Sequence, residues 1–482
     1  MAKFLGIDVG TSGVKALLVD ESGRILRQAS AEYPISVPRP LWSEQNPEDW
    51  WRGVEAVISE IGEDRPDAVG LTGQMHGSVF LDAQDAVIRP AILWNDQRTS
   101  AECAEIDRVV GADVVRRITC NPPLTGFQAP KILWLRRNEP EAYAKVRSVL
   151  LPKDYIRFKL TGEKKTEVSD ASGTGLFDVP RRTWSEEMLS ALDLPRAWFP
   201  DATESAVASA TTNGSGGLAA GIPVVGGGGD QAAGAVGTGA VAPGVVSVSL
   251  GTSGVVFTAL EAAEFDPSGA AHTFCHANNA WHAMGVMLSC GGAVRWYRDT
   301  FTPGSDYSSM NDAAAAAPAG CDGLVFLPYL TGERCPHQDP FARAGFLGLT
   351  LGHSPNHLAR SVFEGVSFGL REAFDLLAGL GATAEEVRVT GGGAKSRFWL
   401  QMIADVFGRP CVTLEIDEGP AFGSAILAGV GVGCWADVVT ACREIIRLSD
   451  RVSPSGVDYG HAFARYRSLY AAVQPWFAGY GG

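Results

Sequence analysis

Two aspartates lie in sequence contexts where a charge is out of character. Asp8 interrupts the apolar run KFLGIDV, and Asp230 ends the glycine run GGGGD that follows the apolar segment IPVV. Because burying an unpaired carboxylate is costly, each side chain needs a compensating partner. Asp230, placed at the end of a predicted strand behind ligand-accessible glycines, suits a general base, and Asp8 suits a metal ion held directly or through water. The structural alternatives are that Asp8 caps the following turn and that Asp230 caps a helix.

A repeated pentapeptide suggests where a phosphate would bind. GTSGV occurs at residues 10–14 and 251–255 of a 482-residue chain, and each copy follows an apolar, strand-like run. A repeat at half the chain length predicts two domains built on one plan. The Gly-Thr-Ser-Gly turn exposes backbone N–H groups and hydroxyls, which suit phosphate oxygens.

The two copies differ in their charged neighbours. Asp8 precedes the first copy and Lys15 follows it, whereas Ser249 and Val256 take the matching places around the second. Lys15 could contact phosphate as a point charge, although a solvated strand residue is the simpler interpretation. The metal and phosphate chemistry is therefore predicted mainly on the first copy.

Other loops add candidates and exclude some classes of enzyme. Gly391–Gly393 precedes a predicted helix that begins near residues 395–397, a join that can hold a nucleotide. His76, after a buried strand, is by itself more often a half-buried histidine than a ligand. The sequence contains neither a Rossmann fingerprint nor a P-loop, a zinc pattern or a nucleophile elbow.

The composition of the chain argues against some kinds of binding partner. The net charge of −14 argues against nucleic acid and anionic membranes. Nine cysteines without a C-x-x-C pair indicate reduced thiols, and the chain enters a strand at its first residues without a signal-peptide pattern. The expected location is the cytoplasm.

The elements predicted around these residues form a mixed α/β architecture. Residues 3–29 predict a three-stranded meander, and Asn46-Pro47 predicts the start of a helix that precedes a fourth strand. Residues 100–210 are interpreted as an insertion in the first domain. The domain boundary is placed near residues 242–245, with Pro243-Gly244 as a candidate hinge.

Taken together, the motifs resemble the FGGY carbohydrate kinases of the actin-like ATPase and hexokinase superfamily. The strings that carry the resemblance run in family order over residues 3–440 and are PLWSEQNPEDWW, GLTGQMHG, RPAILWNDQRT, LLPKDYIRFKLTGE, GGGDQAAGAVG, SLGTSGV, FLPYLTGERCPH and GGGAKSRFWLQMIADVFG. The resemblance implies an α/β fold with two ribonuclease-H-like domains and an interdomain cleft. The implied divisions are residues 1–243, residues 244–445 and a C-terminal tail, 446–482, packed on the second domain.

The resemblance also implies roles for individual residues. Asp230 would take the proton of the sugar's terminal hydroxyl, and Asp8 would position Mg²⁺ through water. The implied sugar-side residues are Met75, His76, Trp94, Asp230 and Gln231. The implied nucleotide-side residues are Thr11, Ser12, Lys15, Thr252, Gly291, Arg295, Gly392, Gly393 and Ser396.

The implied activity is ATP- and Mg²⁺-dependent phosphorylation of a sugar, with D-xylulose phosphorylated at its C5 hydroxyl as the expected reaction. Ribulose, L-fuculose and glycerol stay open as substrates, since one or two side chains set the stereochemistry and Gln231 stands where some family members have Asn. A nucleotide-dependent chaperone or filament protein and a non-catalytic sugar sensor are the alternatives outside this class. The resemblance suggests a homodimer.

Overall fold

The computed structural model describes residues 1–62, 64–477 and 479, and two seven-stranded sheets form its core. The strands of the first sheet are Lys3–Val9, Gly13–Asp20, Ile25–Glu32, Ala68–Gly73, Ala208–Thr211, Pro223–Val225 and Gly228–Gly229. The first three strands form the antiparallel meander that the sequence predicts. Lys3–Val9 then pairs in parallel with Ala68–Gly73, which pairs in parallel with the strands at 223–225 and 228–229.

The second sheet repeats this plan. Its strands, in spatial order, are Ala271–Cys275, Trp281–Met287, Gly254–Leu260, Gly244–Leu250, Ala384–Thr390, Cys411–Leu414 and Leu448–Val452. As in the first sheet, an antiparallel meander is followed by two parallel neighbours and an antiparallel edge strand. The shared strand order confirms the predicted α/β fold of two ribonuclease-H-like units.

Helices cover both sheets, and five short strand pairs of the described residues lie outside the sheets. The helices of the first half are Pro47–Ile61, Ser100–Ile106, Ala112–Thr119, Gln128–Asn138, Pro140–Tyr143, Pro152–Thr161, Val168–Ala171, Glu186–Ala191 and Asp230–Thr238. Those of the second half are Gly291–Phe301, Tyr307–Ala315, Pro355–Gly379, Arg397–Phe407, Gly419–Gly431, Val438–Ile445 and Gly460–Phe477. The short pairs join Glu44–Gln45 to Ala91–Ile92, Val79–Leu81 to Ser148–Leu150, Thr166–Glu167 to Ala202–Thr203, Phe177–Asp178 to Thr183–Trp184 and Val325–Leu327 to Gly345–Leu347. The predicted cap is present, since the Asn46 side chain accepts from the N–H of Glu48.

The helix Gly419–Gly431 belongs to the second half of the chain but packs on the first sheet. A Cβ atom at Gly70 would lie only 1.9 Å from the carbonyl oxygen of Ser424, so the helix touches the bare backbone of this strand. Its apolar side chains share one core with those of the first sheet and of the helix Val438–Ile445. The predicted second domain, 244–445, therefore ends in two helices that pack on the first half.

The residues after 445 return to the second sheet. Leu448–Val452 pairs with Cys411–Leu414, and Tyr466 and Phe477 of the last helix lie in the core of the second half. Among residues 1–62, 64–477 and 479, no helix combines the length and the apolar character that crossing a bilayer requires.

Candidate active site

Asp8 and Asp230 meet at one edge of the first sheet. Asp8 lies opposite Thr72 on the neighbouring parallel strand, and Gly228 lies opposite Thr72 on the other side. Asp230 follows directly, as the first residue of the helix Asp230–Thr238, which Gly229 caps. The two aspartates therefore flank the strand Ala68–Gly73 at the carboxyl ends of three parallel strands, where ligands of open α/β sheets bind.

The surroundings of this edge raise the pKa values of both carboxyls toward neutral pH. The pKa of Asp8 is raised to about 7, mainly by burial and also by the charge of Asp230, against the lowering effect of Lys15. Burial also raises the pKa of Asp230 to about 6, against the lowering effect of the Gln231 side chain, whose Nε2 lies 3.4 Å from Asp230 Oδ1. Both side chains keep partly accessible surface. A carboxyl with a pKa this close to neutral pH is well matched to general-base work.

The same edge fits a hydrated divalent cation. Asp8 Oδ1 is buried, and among the described residues it has no hydrogen-bond partner. The part of the chain that the structure describes holds no group of three or more His, Cys, Asp or Glu side chains able to bind a metal. This donor set suits Mg²⁺, which often uses one or two carboxylates together with waters and substrate phosphates.

The Met75-His76 turn extends the site away from the aspartates. Met75 packs against the backbone of Gly229, where a Cβ atom would lie 2.8 Å from Met75 Cγ. His76 has a φ of 68° and its Nδ1 donates to the carbonyl oxygen of Gly173 at 2.7 Å. Burial lowers the pKa of His76 to about 3, so the ring is neutral and its Nε2 is left as an acceptor. The side chain is half-buried, as the simpler interpretation of the sequence expected, yet its free acceptor remains available to a ligand.

The first GTSGV hairpin contacts both walls of the site, one built by the first half of the chain and the other by the second half. The indole N–H of Trp94 donates to Thr11 Oγ1 at 2.9 Å, although 41% of the Trp94 surface is exposed. Ser12 is exposed at the tip of the hairpin. Lys15 lies opposite Asp8 across the hairpin and forms an ion pair with Glu418, which precedes the helix Gly419–Gly431. Lys15 is thus placed near the metal candidate but is held by a carboxylate from the second half.

The second hairpin supports the glycine loops of the other wall. The N–H groups of Gly291 and Gly292 donate to the carbonyl oxygens of Gly251 and Thr252 at 2.8 and 3.0 Å. On the other side, the loop 391–393 lies against Leu250, the residue before the hairpin. Thr252, Gly291 and Gly393 are therefore brought together at the end of the strand Gly244–Leu250.

The outer residues of the predicted nucleotide site are more dispersed. Gly392 is exposed beside the cluster just described. Ser396 caps the helix Arg397–Phe407, since its Oγ accepts from the N–H of Trp399 at 3.1 Å. Arg295 is exposed on the helix Gly291–Phe301. In this structure Ser396 therefore caps a helix, and its predicted contact with the nucleotide stays a prediction.

The two identical pentapeptides pair differently. In the first hairpin Val9 pairs with Val14, whereas in the second Leu250 pairs with Gly254, so the loop is one residue shorter. Ser249 consequently lies opposite Val255, and Val256, which matches Lys15 in sequence, falls one place further along. The second hairpin therefore has no counterpart of the Asp8–Lys15 pair, because both the residue types and the pairing register differ.

Sequence reasoning missed an acidic pair that joins the two walls. Asp417 Oδ2 accepts from the N–H of Gly391 at 3.0 Å, and the adjacent Glu418 pairs with Lys15. The only local signal was two neighbouring acidic residues before a Gly-Pro helix start. It also missed Phe127 and Phe274, which pack near His76 with ring centroids 4.8 and 6.1 Å away.

Comparison with known proteins gives a consistent result over the whole chain. Models of the FGGY family of carbohydrate kinases match residues 3–237 for the N-terminal domain and residues 246–432 for the C-terminal domain. A xylulose kinase of Escherichia coli is 43% identical, covering 98% of this chain and 100% of the relative. The solved xyloylose kinase of Brucella ovis is 38% identical with a TM-score of 0.93, covering 98% of this chain and 100% of its own. A gluconate kinase of Lactobacillus acidophilus is 25% identical with a TM-score of 0.95, covering 99% of each chain.

The paired ribonuclease-H-like sheets and the two aspartates at the edge of the first sheet define a two-domain kinase that acts on small molecules. The chain belongs to the FGGY family of carbohydrate kinases, whose phosphoryl donor is ATP. The expected family and fold class are therefore confirmed.

Proposed function

We propose that this kinase transfers the γ-phosphoryl group of ATP to the C5 hydroxyl of D-xylulose. The observation that carries the chemistry is Asp230, a carboxyl with a pKa of about 6 at the carboxyl edge of the first sheet, next to Asp8. The choice of sugar is supported by the 43% identity to a xylulose kinase over the full length of both chains.

On the sugar side, Asp230 accepts the proton of the C5 hydroxyl as that oxygen attacks the γ-phosphorus. Gln231, next to it, orients the carboxylate and offers an amide to the sugar. His76 Nε2 accepts a hydrogen bond from a sugar hydroxyl, because the Gly173 carbonyl fixes the proton on Nδ1. Trp94 holds Thr11 toward the phosphates while its exposed face borders the sugar.

On the phosphate side, positioning and charge neutralisation dominate, since phosphoryl transfer needs little covalent help from the protein. Hydroxyl and backbone donors of Thr11, Ser12 and Thr252 surround the β- and γ-phosphates, and Lys15 leaves Glu418 to meet them. Asp8 would hold Mg²⁺ through water, and the ion would neutralise charge on the phosphate oxygens. The loops around Gly291, Arg295, Gly392, Gly393 and Ser396 border the rest of the nucleotide. The homodimer and the cytoplasmic location remain predictions.

A panel of acceptors tests the proposed substrate. ADP release is followed in a coupled assay with D-xylulose, D-ribulose, L-fuculose, glycerol and gluconate, the last because a gluconate kinase shares the fold at a TM-score of 0.95. We expect kcat/KM for D-xylulose to exceed every other acceptor by about tenfold or more, the discrimination that a few polar contacts provide. A different acceptor at the top of the panel would overturn the choice of sugar and leave the kinase chemistry standing.

A further inference from the structure

Arg334, in the motif GERCPH of the second half of the chain, carries a guanidinium that has no role in the proposed phosphoryl transfer. Its side chain is only partly accessible. Within the described residues, its guanidinium makes one side-chain hydrogen bond, from Nη2 to His272 Nε2 at 2.9 Å. In the part of the chain that the structure describes, the neighbouring Glu333 forms no ion pair with it, and Glu333 Oε1 accepts from the backbone N–H groups of Leu288 and Arg334. The remaining donors of Arg334 have no hydrogen-bond partner among the described residues.

The direction of Arg334 is fixed by a chain of hydrogen bonds that crosses between the halves. Asn121 Nδ2 donates to the carbonyl oxygens of Thr119 and Thr273, at 2.9 and 2.8 Å, which leaves Oδ1 as the acceptor. Asn121 Oδ1 accepts from His272 Nδ1 at 3.0 Å. His272 Nε2 is consequently unprotonated and can accept from Arg334. A partly buried arginine that is held by a neutral histidine, and not by a carboxylate, keeps its other donors for a ligand.

Arg334 lies on the His76 side of the site, away from the reacting hydroxyl. The rings of His272, Phe274 and His76 follow one another with centroid separations of 6.2 and 6.1 Å. The charge of Arg334 helps to lower the pKa of His76, whereas burial and Gln231 set the pKa of Asp230. Met75 contacts Gly229, the residue before Asp230, and both Met75 and His76 lie against Gly173. We therefore take the order along the site to be Asp230, Met75, His76, Arg334.

The geometry points to Arg334 as the residue that binds the carbonyl end of the ketose. A sugar whose terminal hydroxyl reaches Asp230 extends past Met75 and His76, so its C1 hydroxyl and C2 carbonyl oxygens meet the free donors of Arg334. These two oxygens can lie in one plane with the C1–C2 bond, which suits the planar fork of a guanidinium. The inference deepens the proposed function, on which it rests, by assigning the group that recognises a ketose as distinct from a polyol.

The test compares a ketose with the two pentitols that differ from it at C2. KM and kcat for D-xylulose, and inhibition constants for xylitol and D-arabitol, are measured for wild-type protein and for Arg334→Met and Arg334→Lys. Loss of a hydrogen bond from a charged donor predicts a KM for D-xylulose about 10- to 100-fold higher in Arg334→Met, with kcat changed less than about threefold. The pentitol inhibition constants should change less than about threefold, because a tetrahedral C2 hydroxyl leaves the plane of the fork. Arg334→Lys, which keeps the charge without the fork, should fall between.

Arg182→Met is the matched control. Arg182 is also partly buried between the halves, but it is paired with Glu204 at 2.6 Å and donates to the carbonyl oxygen of Ala280. This variant should alter thermal stability without altering the ratio of ketose to pentitol affinity. An unchanged KM in Arg334→Met, or equal losses for ketose and pentitols, would overturn the inference. If Arg334→Met does not fold, Arg334→Lys decides by the same ratio.

A wrong choice of substrate would give a different result from a wrong role for Arg334. If wild-type protein prefers another ketose in the acceptor panel, the same comparison is made with that ketose and its reduced polyols. A preferred acceptor without a carbonyl would contradict both the substrate and the role of Arg334.

Discussion

Asp230 combines two properties that a folded protein rarely keeps without a functional reason. It is enclosed enough for burial to raise its pKa to about 6, and it has a second carboxyl, Asp8, as its electrostatic neighbour. Among the residues that the structure describes, neither aspartate forms an ion pair that would offset this cost, and Lys15, opposite Asp8 on the hairpin, only partly lowers the pKa of Asp8. Such uncompensated carboxyls are typical of catalytic sites.

Replacing Asp230 by asparagine tests its role as base. Asparagine keeps the shape of the side chain but cannot accept the proton, so kcat should fall by about 10²- to 10⁴-fold. Affinities for sugar and ATP, measured by calorimetry, should stay within about threefold. Asp113→Asn, at an exposed aspartate of the helix Ala112–Thr119, should leave kcat unchanged. Near-normal turnover in Asp230→Asn would exclude Asp230 as the base.

The pH dependence follows from the same carboxyl. Since Asp230 must be ionised to accept a proton and its pKa is about 6, kcat/KM should decline about tenfold per pH unit below pH 6. Folding raises this pKa above its ordinary value of 3.8, so the folded state binds the proton more tightly and this group makes the protein more stable, not less, as the pH falls from 6 to 4. Circular dichroism at pH 5 should therefore report folded protein while activity is already reduced. Activity that stays flat from pH 8 to pH 5 would contradict the assignment.

At the scale of elements, the helix Gly419–Gly431 couples the two halves through glycine contacts. It crosses the helix Asp230–Thr238, where a Cβ atom at Gly423 would lie 1.8 Å from the carbonyl oxygen of Ala233. The contact occurs one turn after Asp230, so the position of this helix bears directly on the proposed base. Side chains larger than hydrogen cannot be accommodated without moving one helix away from the other.

Gly423→Ala should therefore reverse the usual effect of a glycine-to-alanine change in a helix. Alanine normally stabilises a helix by about 1 kcal/mol, but here the clash should lower Tm by about 5 °C or more. Gly379→Ala is the control, because a Cβ atom at this helical glycine meets nothing within 4 Å. Differential scanning calorimetry should find Gly379→Ala equal to or more stable than wild type. Equal Tm values for all three proteins would mean that the two helices pack less closely at Gly423 than in this structure.

Some of these features could be predicted from the sequence, and others could not. Asp8 and Asp230 were predictable because a charge in an apolar or glycine-rich run is a local signal. The packing of Ser424 on Gly70, the pairing of Lys15 with Glu418 and the approach of Arg334 to His76 depend on which distant segments meet. Periodicity and spacing contain no information on such contacts. The residues that the family resemblance implied for the second wall, namely Thr252, Arg295, Ser396 and three glycines, therefore did not include Asp417, Glu418 or Arg334.

At the scale of the whole molecule, the halves divide the work of one site. The first half supplies both aspartates and the Met75-His76 turn, and the second supplies the glycine loops and the proposed Arg334 contact. Contacts that cross between them include Lys15 with Glu418 and Arg388 Nη1 with the carbonyl oxygen of Thr238 at 2.7 Å. A site assembled from two halves can exclude water when the sugar is bound, which protects ATP from hydrolysis.

The dependence of ADP release on D-xylulose tests this account most directly. With saturating ATP and Mg²⁺, ADP release is measured with and without the sugar, and sugar phosphate is quantified by phosphorus NMR. We predict that D-xylulose accelerates ADP release by about 100-fold or more, with one D-xylulose 5-phosphate formed per ADP. Comparable ADP release without sugar, or no phosphorylated product with D-xylulose, would contradict it.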